Sequence, residues 1–201
     1  MRLKDKVAII TGSASGFGKG IAEKFSSEGA KLIMVDKNAK LLKRVAKKIL
    51  QDSFVADVSQ SSSFKSLLKY IYKNYKNIDI VVNNAGVTHK PKFMESVTEK
   101  EFENVFNVNA KSVYYCGKYF IPNMKKRKKG VILNVASTAG LSPRPKLNWY
   151  NASKGWMITA TKAMAIELAP FNLRVNAIAP VAGKTPLLKS FMGGNTLKKK
   201  Q

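Results

Sequence analysis

Residues 6–20 read KVAIITGSASGFGKG. Lys6 to Thr11 is a short, almost unbroken apolar run that ends at a glycine, the pattern of a strand buried on both faces of a parallel sheet. Gly12, Gly16 and Gly18 then crowd the turn into a helix predicted over Phe17 to Glu28, where Ile21 and Phe25 fall one turn apart and Gly29 supplies the stop. Glycines suit such a turn because a side chain would keep the backbone away from a diphosphate resting at the positive end of the helix. The spacing departs from G-x-G-x-x-G, but the context of strand before and helix after is the one a dinucleotide fingerprint needs.

Outward from this unit the alternation continues. KLIMVD (Lys31 to Asp36) reads as a second buried strand, and Leu41, Leu42, Val45 and Ile49 form one stripe of a second helix. Ser53 to Asp57 is a third strand, followed by Phe64, Leu67, Leu68, Ile71, Tyr72 and Tyr75 at helical spacing. IDIVVN (Ile78 to Asn83) is the fourth strand. Thr98 and Glu101 make a capping-box pattern that opens a long helix toward Pro122. Val131 to Val135, a helix over Tyr150 to Leu168, and LRVNAIA (Leu173 to Ala179) complete six strands. The pattern predicts an α/β, three-layer doubly wound parallel sheet in the order 3-2-1-4-5-6, with ligands bound beyond the carboxyl ends of the strands. A single domain over 1–201 is expected, with 186–201 a flexible piece of a substrate loop.

Composition excludes several alternatives. The chain has 201 residues, 45% of them hydrophobic, enough to bury a sizeable core. Charged Arg2, Lys4, Asp5 and Lys6 precede only a brief apolar run, too short for a signal peptide or a membrane span, so a cytoplasmic protein is expected. The net charge of +24 is mostly lysine scattered over many segments without aromatic interleaving, which reads as solvated faces rather than a nucleic-acid surface. Lys125 to Lys129 reads as an exposed turn on the rim opposite the ligand loops. Cys116, the sole cysteine, reads as a small buried apolar residue, with no companions at metal-site spacing; His89, the sole histidine, reads as a surface residue.

Two places carry chemistry. Asp36 closes strand two about 20 residues after the glycines, where its carboxylate can accept ribose hydroxyls and repel a 2′-phosphate. This favours NAD over NADP, with Lys37 arguing the other way. Tyr150 and Lys154, four apart in YNASK, project from one helix face. An ammonium beside a phenol favours the phenolate, so the tyrosine can exchange a proton near neutral pH.

From its first strand to its sixth the chain resembles the short-chain dehydrogenase/reductase family. The motifs are collinear: TGSASGFG, Asp57 and Val58 after strand three, NNAG at Asn83 to Gly86, Asn109, Ser137 after strand five, and YNASK. The resemblance implies an oxidoreductase that moves a hydride between NAD(H) and a ketone or alcohol. Tyr150 would be general acid in reduction and base in oxidation, with Ser137 holding the substrate oxygen. Lys154 would lower the tyrosine pKa and hold the nicotinamide ribose, and Asn109 would support a proton-relay water. Cofactor contacts would come from Gly12, Ser15, Gly16, Phe17 and Gly18, from Asp57 and Val58 toward the adenine, and from Asn84, Ala85 and Gly86. Asn83 would help wall the cofactor and brace the sheet. Pro180 would join them, and Thr185 would bind the nicotinamide carboxamide. Pairing of the fourth and fifth crossover helices into homodimers or homotetramers is also implied.

The chain departs from the family in two respects. Val181 and Ala182 stand between Pro180 and Gly183, where the family often has glycine directly after the proline. The family continues through a further helix and a seventh strand, whereas this sequence stops at KKKQ. PVAGKTPLL resembles acyl-thioester ketone reductases and sugar dehydrogenases. Two other expectations remain open: an inactive or truncated NAD-binding relative, and a basic interaction protein that binds anionic polymers.

Overall fold

A computed structural model of the chain describes residues 1–192. Six parallel strands form one sheet in the order β3-β2-β1-β4-β5-β6. They are β1 (Val7–Thr11), β2 (Lys31–Asp36), β3 (Asp52–Val55), β4 (Ile80–Asn83), β5 (Gly130–Val135) and β6 (Leu173–Ile178). The crossovers are α1 (Gly16–Ser27), α2 (Ala39–Lys48), α3 (Ser61–Asn74), α4 (Glu99–Phe106) with α5 (Ser112–Arg127), and α6 (Asn148–Leu168). The sheet and its order agree with the sequence expectation.

Strand alternation sorts the core into two layers. Ala8 and Ile10 of β1, with Leu32 and Met34 of β2, face α1 and α2 and meet Ala22, Leu42 and Val45. Ile9, Ile33 and Val35 face the other way, onto Phe64, Leu67 and Ile71 of α3 and Phe120 and Met124 of α5. Both faces of β1 and β2 are therefore buried, and this is why those strands carry no alternating polar residues. Each of the large side chains sealed here contributes roughly 1.5–3 kcal/mol, so the two layers, rather than surface charge, hold the sheet together.

Several boundaries differ from the sequence expectation. Thr98 and Glu101 do form the reciprocal capping box, Glu101 N donating to Thr98 Oγ1 (3.3 Å) and Thr98 N to Glu101 Oε2 (3.0 Å). The helix they open is interrupted by a widened, π-type turn over Asn107–Lys111, and α5 then runs through Pro122 to Arg127 instead of stopping at the proline. The run expected as an exposed turn at Lys125 to Lys129 is instead the last turn of α5 and its left-handed cap, Lys128 (φ 49°). Arg127 is drawn inward: it donates to Ile78 O (2.7 Å) and to Asp79 Oδ1 (2.8 Å). Burial raises the Asp79 carboxyl, but the Val7 amide, the Arg127 guanidinium and the charge of Lys129 together hold it below its ordinary value.

Cys116 is fully buried, as expected, and burial pushes its thiol up to about 12, which makes it inert as a nucleophile. His89 is not on the surface. It is 4% exposed, its Nδ1 lies 2.9 Å from Lys90 O, and its Nε2 has no partner among the described residues. Of the expected tail, Pro186–Phe191 forms a short helix, α7; residues 193–201 lie outside the described residues. Among the described residues no helix is long and apolar enough to cross a membrane.

Candidate active site

The sheet order reverses between β1 and β4, and a cleft opens there at the carboxyl ends of the strands, the place where an open α/β sheet binds its ligand. Its floor is the glycine turn. Gly12 and Gly16 adopt positive φ (66° and 55°). A Cβ on Gly12 would lie 2.8 Å from Ala85 Cα, and one on Gly18 would overlap Gly12 O, so the backbone stays close and bare. Thr11 and Asn84 lock this turn to the end of β4. Asn84 Nδ2 donates to Thr11 O (2.9 Å) and Gly12 O (3.2 Å), while Asn84 N and Ala85 N both donate to Thr11 Oγ1 (3.0 Å each).

Along one side of the cleft stand the two carboxylates. Asp36 accepts Ala14 N at Oδ2 (3.1 Å) and Asn38 N at Oδ1 (2.9 Å), so its carboxylate is held in place with lone pairs to spare. Asp57 is fixed by Ser59 N at Oδ1 (2.9 Å), with Val58 buried beside it. At the other end, Ser137 accepts Ala139 N (3.1 Å) at the close of β5, and Tyr150 and Lys154 enter from α6. The helical spacing places both on one face, Lys154 Nζ lying 6.0 Å from the Tyr150 ring centroid.

The cleft is lined by Gly12, Ser15, Gly16, Phe17, Asp36, Asp57, Val58, Asn84, Ala85, Gly86, Ser137, Tyr150, Lys154, Pro180 and Thr185. Gly18 lies beneath the turn rather than in the lining. Asn109 is also behind the wall and fully buried. Its Oδ1 accepts Val87 N (2.9 Å), and its Nδ2 donates to Val87 O and to Ser153 Oγ (2.9 Å each). Ser153 in turn donates to Tyr150 O (2.7 Å), so Asn109 ties the NNAG loop to the helix that carries the tyrosine. The widened turn of Asn107–Lys111 is what brings this side chain inward, beneath Gly86, where an added Cβ would meet Lys154 Nζ (3.4 Å) and Asn109 Oδ1 (3.5 Å).

Asn83, expected to help wall the cofactor, does not line the cleft. It is buried under the sheet end and donates to Asn134 Oδ1 (2.9 Å), whose Nδ2 donates to Thr161 Oγ1 (2.8 Å), so it braces β4, β5 and α6. Thr185 lies over Gly16, and Gly183 packs so closely on Phe17 that a Cβ would come within 2.7 Å of its ring.

The titration of the pair differs from the expected one. Burial pushes the Tyr150 phenol above its ordinary value, and the Ser137 hydroxyl and the Arg144 charge only partly pull it back. Lys154 is sealed in, donates to Val135 O (2.8 Å), and is pushed down by burial to about 8. The Lys154 amine is committed to the Val135 carbonyl, and its charge is not among the influences that lower the phenol. Sequence spacing foresaw the proximity but not the desolvation. It also missed Arg144, Leu147, Leu187 and Phe191, which line the same cleft; Phe191 packs edge-on to Tyr150 with centroids 5.1 Å apart. No motif marks them.

A bare glycine cradle, a fixed carboxylate at the end of β2 and a Tyr–Lys pair meet in one cleft at the switch point of a doubly wound sheet. The family model for short chain dehydrogenases matches residues 6–194, and the chain belongs to that family. It is 40% identical to 4-formylbenzenesulfonate dehydrogenase of Comamonas testosteroni, over 96% of this chain and 79% of that protein. It is 37% identical to a 3-oxoacyl-(acyl-carrier-protein) reductase of Thermotoga maritima, over 93% of this chain and 78% of that one. Among solved structures it matches 3-ketoacyl-(acyl-carrier-protein) reductase from Brucella melitensis complexed with NADH. There the TM-score is 0.92 and identity 45%, over 94% of this chain and 80% of that chain.

Proposed function

We propose that the chain transfers a hydride between NAD(H) and a carbonyl or alcohol substrate, with Tyr150 Oη moving the accompanying proton. One observation carries this: Ser137, Tyr150 and Lys154 share a cleft with the glycine turn and Asp36. The nicotinamide, when bound, supplies or accepts the hydride. Gly12, Ser15, Gly16 and Phe17 would hold the diphosphate, with Gly18 keeping the turn tight. Asp36 would take the adenosine ribose and Asp57 with Val58 the adenine. Asn84, Ala85, Gly86, Pro180 and Thr185 would flank the nicotinamide half. The Asp36 carboxylate, which would face and repel a 2′-phosphate, supports NAD over NADP, with Lys37 in the same lining as the opposing charge.

Ser137 Oγ donates to the substrate oxygen and holds it against the phenol. A phenol kept protonated by burial is set up as a donor, which suits reduction at neutral pH; oxidation needs the phenolate and gains as pH rises. Lys154 holds the nicotinamide ribose and passes protons at Nζ, for which a pKa of about 8 is well placed. Asn109 positions Val87 and the tyrosine helix next to that relay. A homodimer or homotetramer through α5 and α6 belongs to the same reading, supported by exposed Tyr114, Trp156 and Ile166. So does a cytoplasmic location.

The test is NADH oxidation against a panel of ketones and aldehydes. Tyr150→Phe is expected to lower turnover at least about 100-fold while NADH binding persists. Undiminished turnover in that variant overturns the chemistry.

A further inference from the structure

Arg144 takes no part in that chemistry, yet it lines the cleft together with Ser137 and Tyr150 while staying exposed to solvent. It stands between Pro143 and Pro145, which restrict the backbone on both sides of it. The loop is pinned three times. Ser142 N donates to Thr138 O (2.8 Å), Asn151 Nδ2 to Arg144 O (2.8 Å) and Lys92 N to Lys146 O (3.1 Å). Asn151 is the residue after Tyr150, so one helical turn fixes both the phenol and the arginine's main chain.

The charge of Arg144 has no countercharge in the cleft. It makes no ion pair with any described residue. The cleft's carboxylates, Asp36 and Asp57, follow β2 and β3, whereas Arg144 follows β5. The ends of β2 and β5 lie three strand spacings apart, about 14 Å. The glycine turn follows β1, whose end lies two spacings, about 10 Å, from that of β5. The same cleft is lined by apolar Leu147, Leu187 and Phe191, of which Leu147 and Phe191 pack with Tyr150. A fork of donors in the same cleft as the phenol, with apolar side chains in the lining and no carboxylate paired to it, is complementary to a planar oxyanion on an apolar body.

We propose that Arg144 is a substrate-binding residue, and that the substrate is a carbonyl compound, or its alcohol, carrying a carboxylate or similar anionic group on an apolar body. This rests on the oxidoreductase reading of the same site. The charge that partly restrains the Tyr150 phenol would then be neutralised by the substrate itself.

The experiment uses the full chain with NADH and three carboxylates that differ in the distance from carbonyl to anion: phenylglyoxylate, 3-formylbenzoate and 4-formylbenzoate. Each is paired with its methyl ester. The readouts are kcat/KM for NADH oxidation and, independently of turnover, the change in NADH fluorescence on titrating each compound into the NADH complex. The ratio of carboxylate to ester is expected to exceed about tenfold for at least one spacing, as a charge-assisted bond should give. Added salt should shrink it. Arg144→Gln should bring the ratio to near one, and Arg144→Lys should keep part of it. A general effect of Arg144 on the phenol alters both members of a pair and cancels in the ratio. A wild-type ratio near one at all three spacings, or a ratio that survives Arg144→Gln, overturns the proposal. Arg144-dependent binding without turnover keeps it and sinks the oxidoreductase reading, whereas failure to bind NADH sinks both.

Discussion

Replacing Lys154 by methionine should make the stability of the chain less dependent on pH. Lys154 is sealed, and burial lowers its amine from 10.5 to about 8. At roughly 1.4 kcal/mol for each tenfold in proton affinity, keeping that amine charged costs the folded chain about 3 kcal/mol. The unfolded chain binds the extra proton between about pH 8 and pH 10.5, so in that window wild-type stability rises with pH. Below pH 8 the penalty is present in full, and above 10.5 it is gone. Lys154→Met removes the penalty but also the bond from Nζ to Val135 O, worth about 1–3 kcal/mol. At pH 7 the variant should therefore be equal to wild type or up to about 2 kcal/mol more stable. At pH 10.5 it should be the less stable of the two. Denaturant unfolding of both proteins without cofactor, at intervals from pH 6 to 10.5, measures the difference, and titrations common to both cancel. A gap that stays constant or widens in favour of the variant as pH rises would falsify the buried-charge account. The same variant should bind NADH poorly, which would make this a site where function is kept at the expense of stability.

Asp36→Asn drops the negative charge and keeps one of the two acceptor oxygens that take the Ala14 and Asn38 amides. It should shift the NADH to NADPH affinity ratio toward NADPH by about tenfold, read by fluorescence titration with each cofactor; an unchanged ratio sinks the assignment of Asp36 to the ribose. Gly18→Ala puts a methyl into Gly12 O and the Asn84 amide. It should reduce NADH affinity by more than about tenfold with far-ultraviolet dichroism intact, and wild-type affinity would mean that the turn is looser than drawn.

The position of the site was legible because it follows from local patterns. Apolar runs such as Val7–Thr11 and Lys31–Asp36 alternate with helical stripes, and parallel pairing with right-handed crossovers leaves few sheet orders. Once the strands are ordered, the loops carrying the glycines, Asp36, Asp57, Ser137 and Tyr150 must share a rim, and the structure puts them in one cleft. Thr98 and Glu101 announced the start of α4 for the same reason, since a cap is a contact between neighbours in sequence.

What the local pattern could not hold is the set of properties that arise when distant segments seal one another from water. Asn83 and Asn134 read as strand ends until β4 and β5 bring them together under α6. His89 looks like a loop residue in the linear sequence and is buried in the fold. Arg127 sits in a run of exposed lysines, and only the approach of β4 turns it toward Asp79. Arg144, 59 positions beyond Ala85 and without a motif of its own, shares Ala85's cleft only because β4 and β5 are neighbours. Spacing alone placed Tyr150 beside Lys154, but their proton affinities were decided by desolvation. That free energy depends on every segment packed around the pair and on no two residues taken together.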